Sequence, residues 1–238
     1  MEVAWFEQTS ADLPADDSWL SATEAVRLSG MRFPKRRADW KLGRWTAKRA
    51  VSLYLTLPAD LQSLTRIEIR PDPSGAPEVF FGNEPAPVGI SISHREGRAA
   101  CAIAGPMVQL GCDLEIAEPR SDAFASDYFT VPEQELLAHV SPEERPQLLA
   151  LLWSGKESVL KALREGLRLD PRSVTVDPNG GRALAGAGLQ PCSSWRPLRA
   201  HHEGRIFHGW WRQTDKIVRT MVADPAPVAI VSGAAVFS

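Results

Sequence analysis

Two short segments, Gly111-Cys112-Asp113-Leu114-Glu115 and Trp153-Ser154-Gly155-Lys156-Glu157-Ser158-Val159-Leu160-Lys161, hold the residues best suited to chemistry. Together they supply three carboxylates and two lysines. On a strand, period-2 alternation sends Asp113 and Glu115 to one face and Cys112 and Leu114 to the other. On a helix, Trp153, Glu157 and Lys161 stand at i, i+4 and i+8 within one sector, with Lys156 at its edge. Each segment alone has an ordinary explanation, a solvated strand face or a surface salt bridge. Taken together, three hard oxygen ligands flanked by ammonium groups describe a magnesium site that suits a diphosphate.

The elements that must carry these groups are legible in outline. Ser21-Ala22-Thr23-Glu24 is a capping box that starts a first helix, and Pro34 opens a second running to about Leu55. On that second helix Arg37, Lys41, Arg44 and Lys48 form one cationic stripe, beside an apolar stripe of Trp40, Ala47, Val51 and Tyr54 expected to face the core. Strands are expected at about Ile67–Arg70, Val88–Ser93, Ala99–Ala104 and Val108–Glu115, divided by turn signals such as Gly105-Pro106. A Thr130-x-x-Glu133 box begins another helix, and Ser141 with Pro142 begins the long one that carries Trp153 to Arg164. Later strands are expected at about Ser173–Val176, Arg205–Gln213, Val218–Ala223 and Val228–Val231. Strands and helices thus alternate in two comparable halves, residues 1–110 and 111–238, with no evident sequence identity between them.

Composition narrows the function. A chain of 238 residues with 44% hydrophobic content can bury one large core or two small ones. A net charge of -2 argues against nucleic acid as partner, because such binders concentrate lysine and arginine well beyond parity. The three cysteines, Cys101, Cys112 and Cys192, are widely spaced and read as reduced residues of a cytoplasmic protein. The start of the chain lacks the basic and apolar regions of a signal peptide, and no apolar run reaches the ~18 residues of a membrane span. His139, His201, His202 and His208 gather no partners at zinc spacing, and Trp5, Trp40, Trp45, Trp195, Trp210 and Trp211 read as packing residues.

A third segment, Ser91-Ile92-Ser93-His94-Arg95-Glu96-Gly97, joins the first two. The order Ser-x-Ser-His, then Gly-x-Asp-x-Glu, then Trp-x-x-Lys-Glu-x-x-x-Lys resembles the 4′-phosphopantetheinyl transferases of the surfactin-synthetase-activating type. Arg37 and Arg44 resemble that family's first basic helix, Gly75-Ala76-Pro77 its Gly-x-Pro loop, and Tyr128-Phe129 with Glu133 its linker motif. Gly166-Leu167 and Pro171 fit as well. The resemblance runs from about Ser21 to about Val176, while Arg182 to Gly209 matches nothing specific. Gly155 departs from the pattern, since a helical glycine costs roughly 1 kcal/mol relative to alanine and loosens the helix locally.

The resemblance implies an α+β fold of two similar halves related by pseudo-twofold symmetry, each a small, mainly antiparallel sheet packed with helices. It implies transfer of the 4′-phosphopantetheine of coenzyme A to a serine of an apo acyl or peptidyl carrier protein, releasing adenosine 3′,5′-bisphosphate. Asp113, Glu115 and Glu157 would hold Mg²⁺, with Mn²⁺ a possible substitute, and Asp113, Glu157 and Lys161 would be catalytic. Lys156 and Lys161 would contact the diphosphate. Ser93, His94 and Arg44 would hold coenzyme A phosphates, with Arg37, Lys41, Lys48, Gly75 and Pro77 beside them. Glu157, or a water held next to it, would take the serine proton. A chain with both halves is expected to act as a monomer, without nucleic acid or membrane. The carrier is expected to be acidic and to dock near Ala123–Thr130, through Phe124, Tyr128 and Phe129. Two rival readings remain: a magnesium-dependent nuclease, which usually sets a lysine where Ala117 stands, and a non-catalytic module that binds coenzyme A or a carrier.

Overall fold

The computed structural model describes residues 2–181, 192–227 and 229–232. Among them, no helix is long and apolar enough to cross a membrane. The chain forms two compact units, one built from residues up to 108 together with the last described strand, the other from residues 109–227.

The first unit begins with β1 (Glu2–Thr9), in which Val3 and Trp5 are buried at alternate positions. Ser21 caps α1 (Ala22–Ser29): its hydroxyl accepts the Glu24 N–H at 3.2 Å, and the Glu24 carboxylate accepts the Ser21 N–H at 3.1 Å. Pro34 opens α2 (Pro34–Tyr54), which buries Ala47 and Val51 as the apolar stripe requires and leaves Trp40 and Tyr54 half-buried against the same core. After α3 (Leu61–Leu64) come β2 (Ile67–Pro71), β3 (Pro77–Phe81) and the two-residue β4 (Glu84–Pro85), which form a three-stranded sheet. Then β5 (Gly89–Arg95) and β6 (Arg98–Ala104) pair antiparallel across Glu96-Gly97, both at positive φ (44° and 69°). That is the backbone of a primed hairpin turn, whose twist matches the strands it joins.

The second unit opens with β7 (Gln109–Ile116) and continues through α4 (Asp122–Tyr128), α5 (Val131–His139) and α6 (Arg145–Ala162). Then follow β8 (Val174–Asp177), β9 (Cys192–His202), β10 (Arg205–Thr214) and β11 (Ile217–Asp224). The sheet is antiparallel throughout, in the order β7-β11-β10-β9-β8. Its core gathers Leu148, Leu151, Leu152 and Leu160 of α6 with Val176, Leu198, Phe207, Val218 and Val222. The molecule is therefore α+β, with mainly antiparallel sheets and packed helices. The expected start of the long helix at Ser141 gives way to a turn, and the helix proper begins at Arg145.

The final strand, β12 (Ala229–Ser232), runs parallel to β1 and completes the order β12-β1-β6-β5 in the first unit. The division at residue 110 had assigned this segment to the second half. Nothing local signals the assignment, because a short apolar run is compatible with either sheet until its partner is known. Val228 and residues 182–191 lie outside the described residues.

Candidate functional site

In the second unit β7 and α6 approach at backbone distance. A Cβ built on Gly111 would lie 1.7 Å from the Ser158 carbonyl oxygen, so only glycine admits this contact. Gly111, Asp113 and Glu115 share one face of β7 by alternation, and that face meets α6. Lys161 reaches across, its Nζ 2.7 Å from Asp113 Oδ1 and donating to the Cys112 carbonyl at 3.1 Å. Asp113 and Glu115 are both buried. Glu115 Oε1 accepts the N–H of Ile116 at 2.8 Å and lies 3.5 Å from the Arg120 guanidinium. Arg120 also pairs with Glu118 at 3.1 Å and stacks over Phe124 at 5.1 Å.

The electrostatics follow from that crowding. Burial pushes the Glu157 carboxyl above its ordinary value; Lys161 opposes the shift, and the charges of Asp113 and Glu115 add to it. Burial works to lower Lys161, but Asp113, Cys112 and Glu157 outweigh it and hold the ammonium above its usual value. The four groups are thus mutually coupled. The donor set suits a hard divalent cation, since three carboxylates that repel one another gain from a shared positive charge. The expected convergence of three ligands is not formed, however. Among the described residues no three His, Cys, Asp or Glu side chains are arranged around one ion position. Asp113 and Glu115 are instead turned towards Lys161 and Arg120.

Lys156 departs from expectation. Its ammonium is fully buried, 2.7 Å from Glu133, and donates to the carbonyls of Pro171 (3.0 Å) and Val174. It is not available to a diphosphate. Gly155 has a structural reason as well: a Cβ there would meet Val176 Cγ1 at 2.9 Å, so the glycine marks the close packing of α6 on β8 rather than a loosened helix.

In the first unit a cleft of about 600 Å³ is lined by Arg27, Lys35, Arg36 and Arg44, with Phe33, Trp40, Gly75, Pro77 and His94, and with Asp39 as its one acid. Arg44, His94, Gly75 and Pro77 are therefore brought together as expected from the sequence. Burial lowers the Arg44 guanidinium to about 10, with Glu24 opposing and Arg27 reinforcing. Its Nε is buried without a hydrogen-bond partner, and the group stacks over Trp40 at 5.1 Å.

The rest of the basic stripe goes elsewhere, because the segment from Asp17 to Leu28 covers it and supplies its partners. Arg37 donates to the Leu28 carbonyl at 2.9 Å, Lys41 pairs with Asp17 at 2.5 Å, and Lys48 is fully buried 2.5 Å from Glu24. Ser93 is buried next to exposed His94, and alternation along β5 keeps it off the cleft. Arg27, Lys35, Arg36 and Arg120 were missed. Lys35 and Arg36 adjoin the stripe but lie off its period, and Arg27 and Arg120 carry no local signal.

At α4 and the residue that follows it, the three aromatics separate. Phe129 is buried, whereas Tyr128 is exposed and half-buried Phe124 packs with it and with Trp153 at centroid distances of 5.0 and 5.3 Å. Phe129 therefore belongs to the core and is withdrawn as a docking anchor.

A family model described as the 4′-phosphopantetheinyl transferase superfamily matches residues 109–210. The chain is 26% identical to the 4′-phosphopantetheinyl transferase HetI of a Nostoc species, over 81% of this chain and 78% of HetI. It is 24% identical to slr0495 of a Synechocystis species, over 70% of this chain and 72% of that one. Among solved structures, a holo-(acyl-carrier-protein) synthase from Bacillus anthracis in complex with CoA (3′,5′-ADP) aligns with a TM-score of 0.36 and 21% identity, covering 42% of this chain and 91% of that one. Residues 109–210 thus resemble the 4′-phosphopantetheinyl transferase superfamily, and both relatives carry that description, slr0495 as a putative member.

Proposed function

We propose that the protein transfers the 4′-phosphopantetheine of coenzyme A to a serine hydroxyl of an apo acyl or peptidyl carrier protein, in a Mg²⁺-dependent reaction. The observation that carries the reading is the coupled group of Asp113, Glu115, Glu157 and Lys161, in which one carboxyl is held above its ordinary value beside a charged ammonium. A general base is most effective when its pKa lies near the working pH, and Glu157 is shifted in that direction. Glu157 takes the serine proton, directly or through one water, as the oxygen attacks the phosphorus nearer the pantetheine. The phosphoanhydride bond breaks and adenosine 3′,5′-bisphosphate leaves. Lys161 stabilises the charge that develops on the leaving group. Asp113, Glu115 and Glu157 are the residues that would hold Mg²⁺, which when bound supplies Lewis-acid neutralisation of phosphate charge.

The cationic cleft of the first unit supports coenzyme A as donor, because Arg44 and His94 there offer charged and hydrogen-bonding groups to phosphate. Half-buried Phe124 with exposed Tyr128 offers apolar anchors for a carrier. We further propose that the protein acts as a monomer in the cytoplasm. Incubation with coenzyme A, Mg²⁺ and a panel of apo carrier proteins, followed by intact-mass measurement, tests the reading. The expected result is a mass gain of one phosphopantetheine on at least one carrier, lost with Glu157→Gln. No gain on any carrier, or full gain with the variant, refutes it.

A further inference from the structure

One buried arrangement is built twice. In the first unit the Lys48 ammonium lies 2.5 Å from Glu24 Oε2 and donates to the carbonyls of Trp19 (3.0 Å) and Leu64 (3.1 Å). In the second, the Lys156 ammonium lies 2.7 Å from Glu133 Oε2 and donates to the carbonyls of Pro171 (3.0 Å) and Val174. Each glutamate closes the capping box of a short helix, through Ser21 or Thr130. Its other oxygen accepts a strand N–H, from Ile69 at 3.2 Å or Val176 at 2.8 Å. An aromatic ring, Trp19 or Phe129, lies 5.6 Å from the ammonium in both.

An ammonium has three N–H donors, and here all three are taken. Neither lysine keeps one for a ligand. Nor does such a pair contribute much to stability, since desolvation of both ions offsets most of their attraction; its best-attested use is to select one arrangement among several of similar energy. Helix α6 needs such a selector. It buries Leu148, Leu149, Leu151, Leu152, Val159 and Leu160 around most of its circumference, so apolar burial changes little as the helix turns. Ser154 and Ser158, each 2.8 Å from the Thr220 hydroxyl, hold one side of α6 against β11; the directional set at Lys156 fixes the rotation from the other side, and through Glu133 it ties α6 to α5 and β8.

We propose that the Lys156–Glu133 pair is a positioning device for the reacting groups: it sets the rotation of α6 that presents Glu157 and Lys161 to Asp113 on β7. With side chains about 5–6 Å from the axis, a 20° turn displaces their ends by about 2 Å. Errors of 1 Å in placing reacting groups are enough to lower rates about a hundredfold. The role assigned to Glu157 and Lys161 rests on the transferase reading above; the placement itself does not.

The test uses the full chain with Lys156→Met and Glu133→Gln combined, which removes both charges at similar volume and leaves an amide to accept the Val176 N–H. Expected are a cooperative melt, coenzyme A affinity by calorimetry within twofold of wild type, kcat for carrier modification reduced at least tenfold, and loss of the 2.7 Å Lys161–Asp113 contact in a crystal structure of the variant. A tenfold loss of coenzyme A affinity with kcat preserved would make Lys156 a ligand contact and overturn the proposal. So would an unchanged Lys161–Asp113 contact with unchanged kcat. If the double variant does not fold, Glu133→Asp, which keeps the charge but shortens its reach, is expected to lower kcat while sparing coenzyme A affinity. Wild-type kcat in Glu133→Asp overturns the proposal. If the wild type modifies no carrier, the transferase reading fails, and the Lys161–Asp113 contact in the variant's crystal structure still decides the positioning role.

Discussion

Gly111→Ala should damage the protein more than any other single methyl group added along β7 or α6. The new Cβ would stand 1.7 Å from the Ser158 carbonyl oxygen, 2.7 Å from its carbon and 2.8 Å from the Ala162 nitrogen. All three are helix backbone, so no rotamer change relieves the clash. Restoring an ordinary contact of about 3.5 Å requires β7 and α6 to part by about 1.5–2 Å. Overpacking of a core costs about 1–3 kcal/mol, and a backbone clash belongs at the top of that range. For a chain of this size about 3 kcal/mol lowers Tm by roughly 6–12 °C. The same movement carries Asp113, two residues along β7, away from Lys161, stretching their 2.7 Å contact past ion-pair distance. Transfer should fall about a hundredfold. Gly155→Ala is the milder comparison, because its Cβ would meet side-chain methyls, Val176 Cγ1 at 2.9 Å and Cγ2 at 3.1 Å, rather than backbone. Alanine also gains roughly 1 kcal/mol of helix propensity there, which offsets part of the overpacking. Thermal melts and carrier-modification rates of both variants check this. If Gly111→Ala keeps wild-type Tm and rate, or if Gly155→Ala is equally harmful, the account of how β7 and α6 position the site is wrong.

Glu157→Gln should stabilise the protein while abolishing transfer. The folded chain holds the Glu157 proton more tightly than the unfolded chain, whose value is near 4.5. Stability is therefore lost as pH rises from that value through the raised folded one, and the cost persists at neutral pH. The variant's Tm should exceed wild type at pH 8, with the gap closing near pH 4; equal Tm at both would contradict the assigned burial. Mg²⁺ at about a hundred times its dissociation constant should stabilise the wild type by about 2.7 kcal/mol in a thermal shift assay, and Asp113→Asn should forfeit most of it. A shift retained in full by the variant removes Asp113 from the metal site. Arg44→Ala and His94→Ala should each weaken use of coenzyme A by about tenfold to a hundredfold, from a charge-assisted contact of about 1.5–3 kcal/mol, while scarcely altering use of dephospho-coenzyme A. Equal loss with both substrates would mean that these residues do not hold the 3′-phosphate. Tyr128→Ala should raise the KM for carrier several-fold and leave that for coenzyme A unchanged; the opposite pattern would move the docking surface.

Local signals carried far in this chain where the structure they specify is itself local. The Ser21 and Thr130 boxes start their helices as written, because each is a contact between residues three apart. The strands β5, β6 and β7 fall within a residue or two of their expected positions because alternation and turn residues mark them. Strands β1, β3, β4 and β9 went unread. In β9, Pro197 and the charged Arg196 and Arg199 interrupt the pattern, and only Leu198, Ala200 and His202 turn inward once β10 supplies a partner.

The family pattern, the helix that carries Glu157 and Lys161, and the strand that carries Asp113 and Glu115 are all legible in the order of residues. Spacing along one element fixes which residues share a face, and that is all such a pattern needs. What each cation does depends on the packing of one element against another. Lys48 and Lys156 look like members of phosphate-binding stripes, yet Glu24 and Glu133 take both into the core, while Arg44 and Lys161 remain at the cleft and beside Asp113. The physical reason is that a buried ammonium is tolerated only where a carboxylate and carbonyls replace its water. Those partners come from other elements, dozens of residues away in some cases, and no periodicity along α2 or α6 announces them.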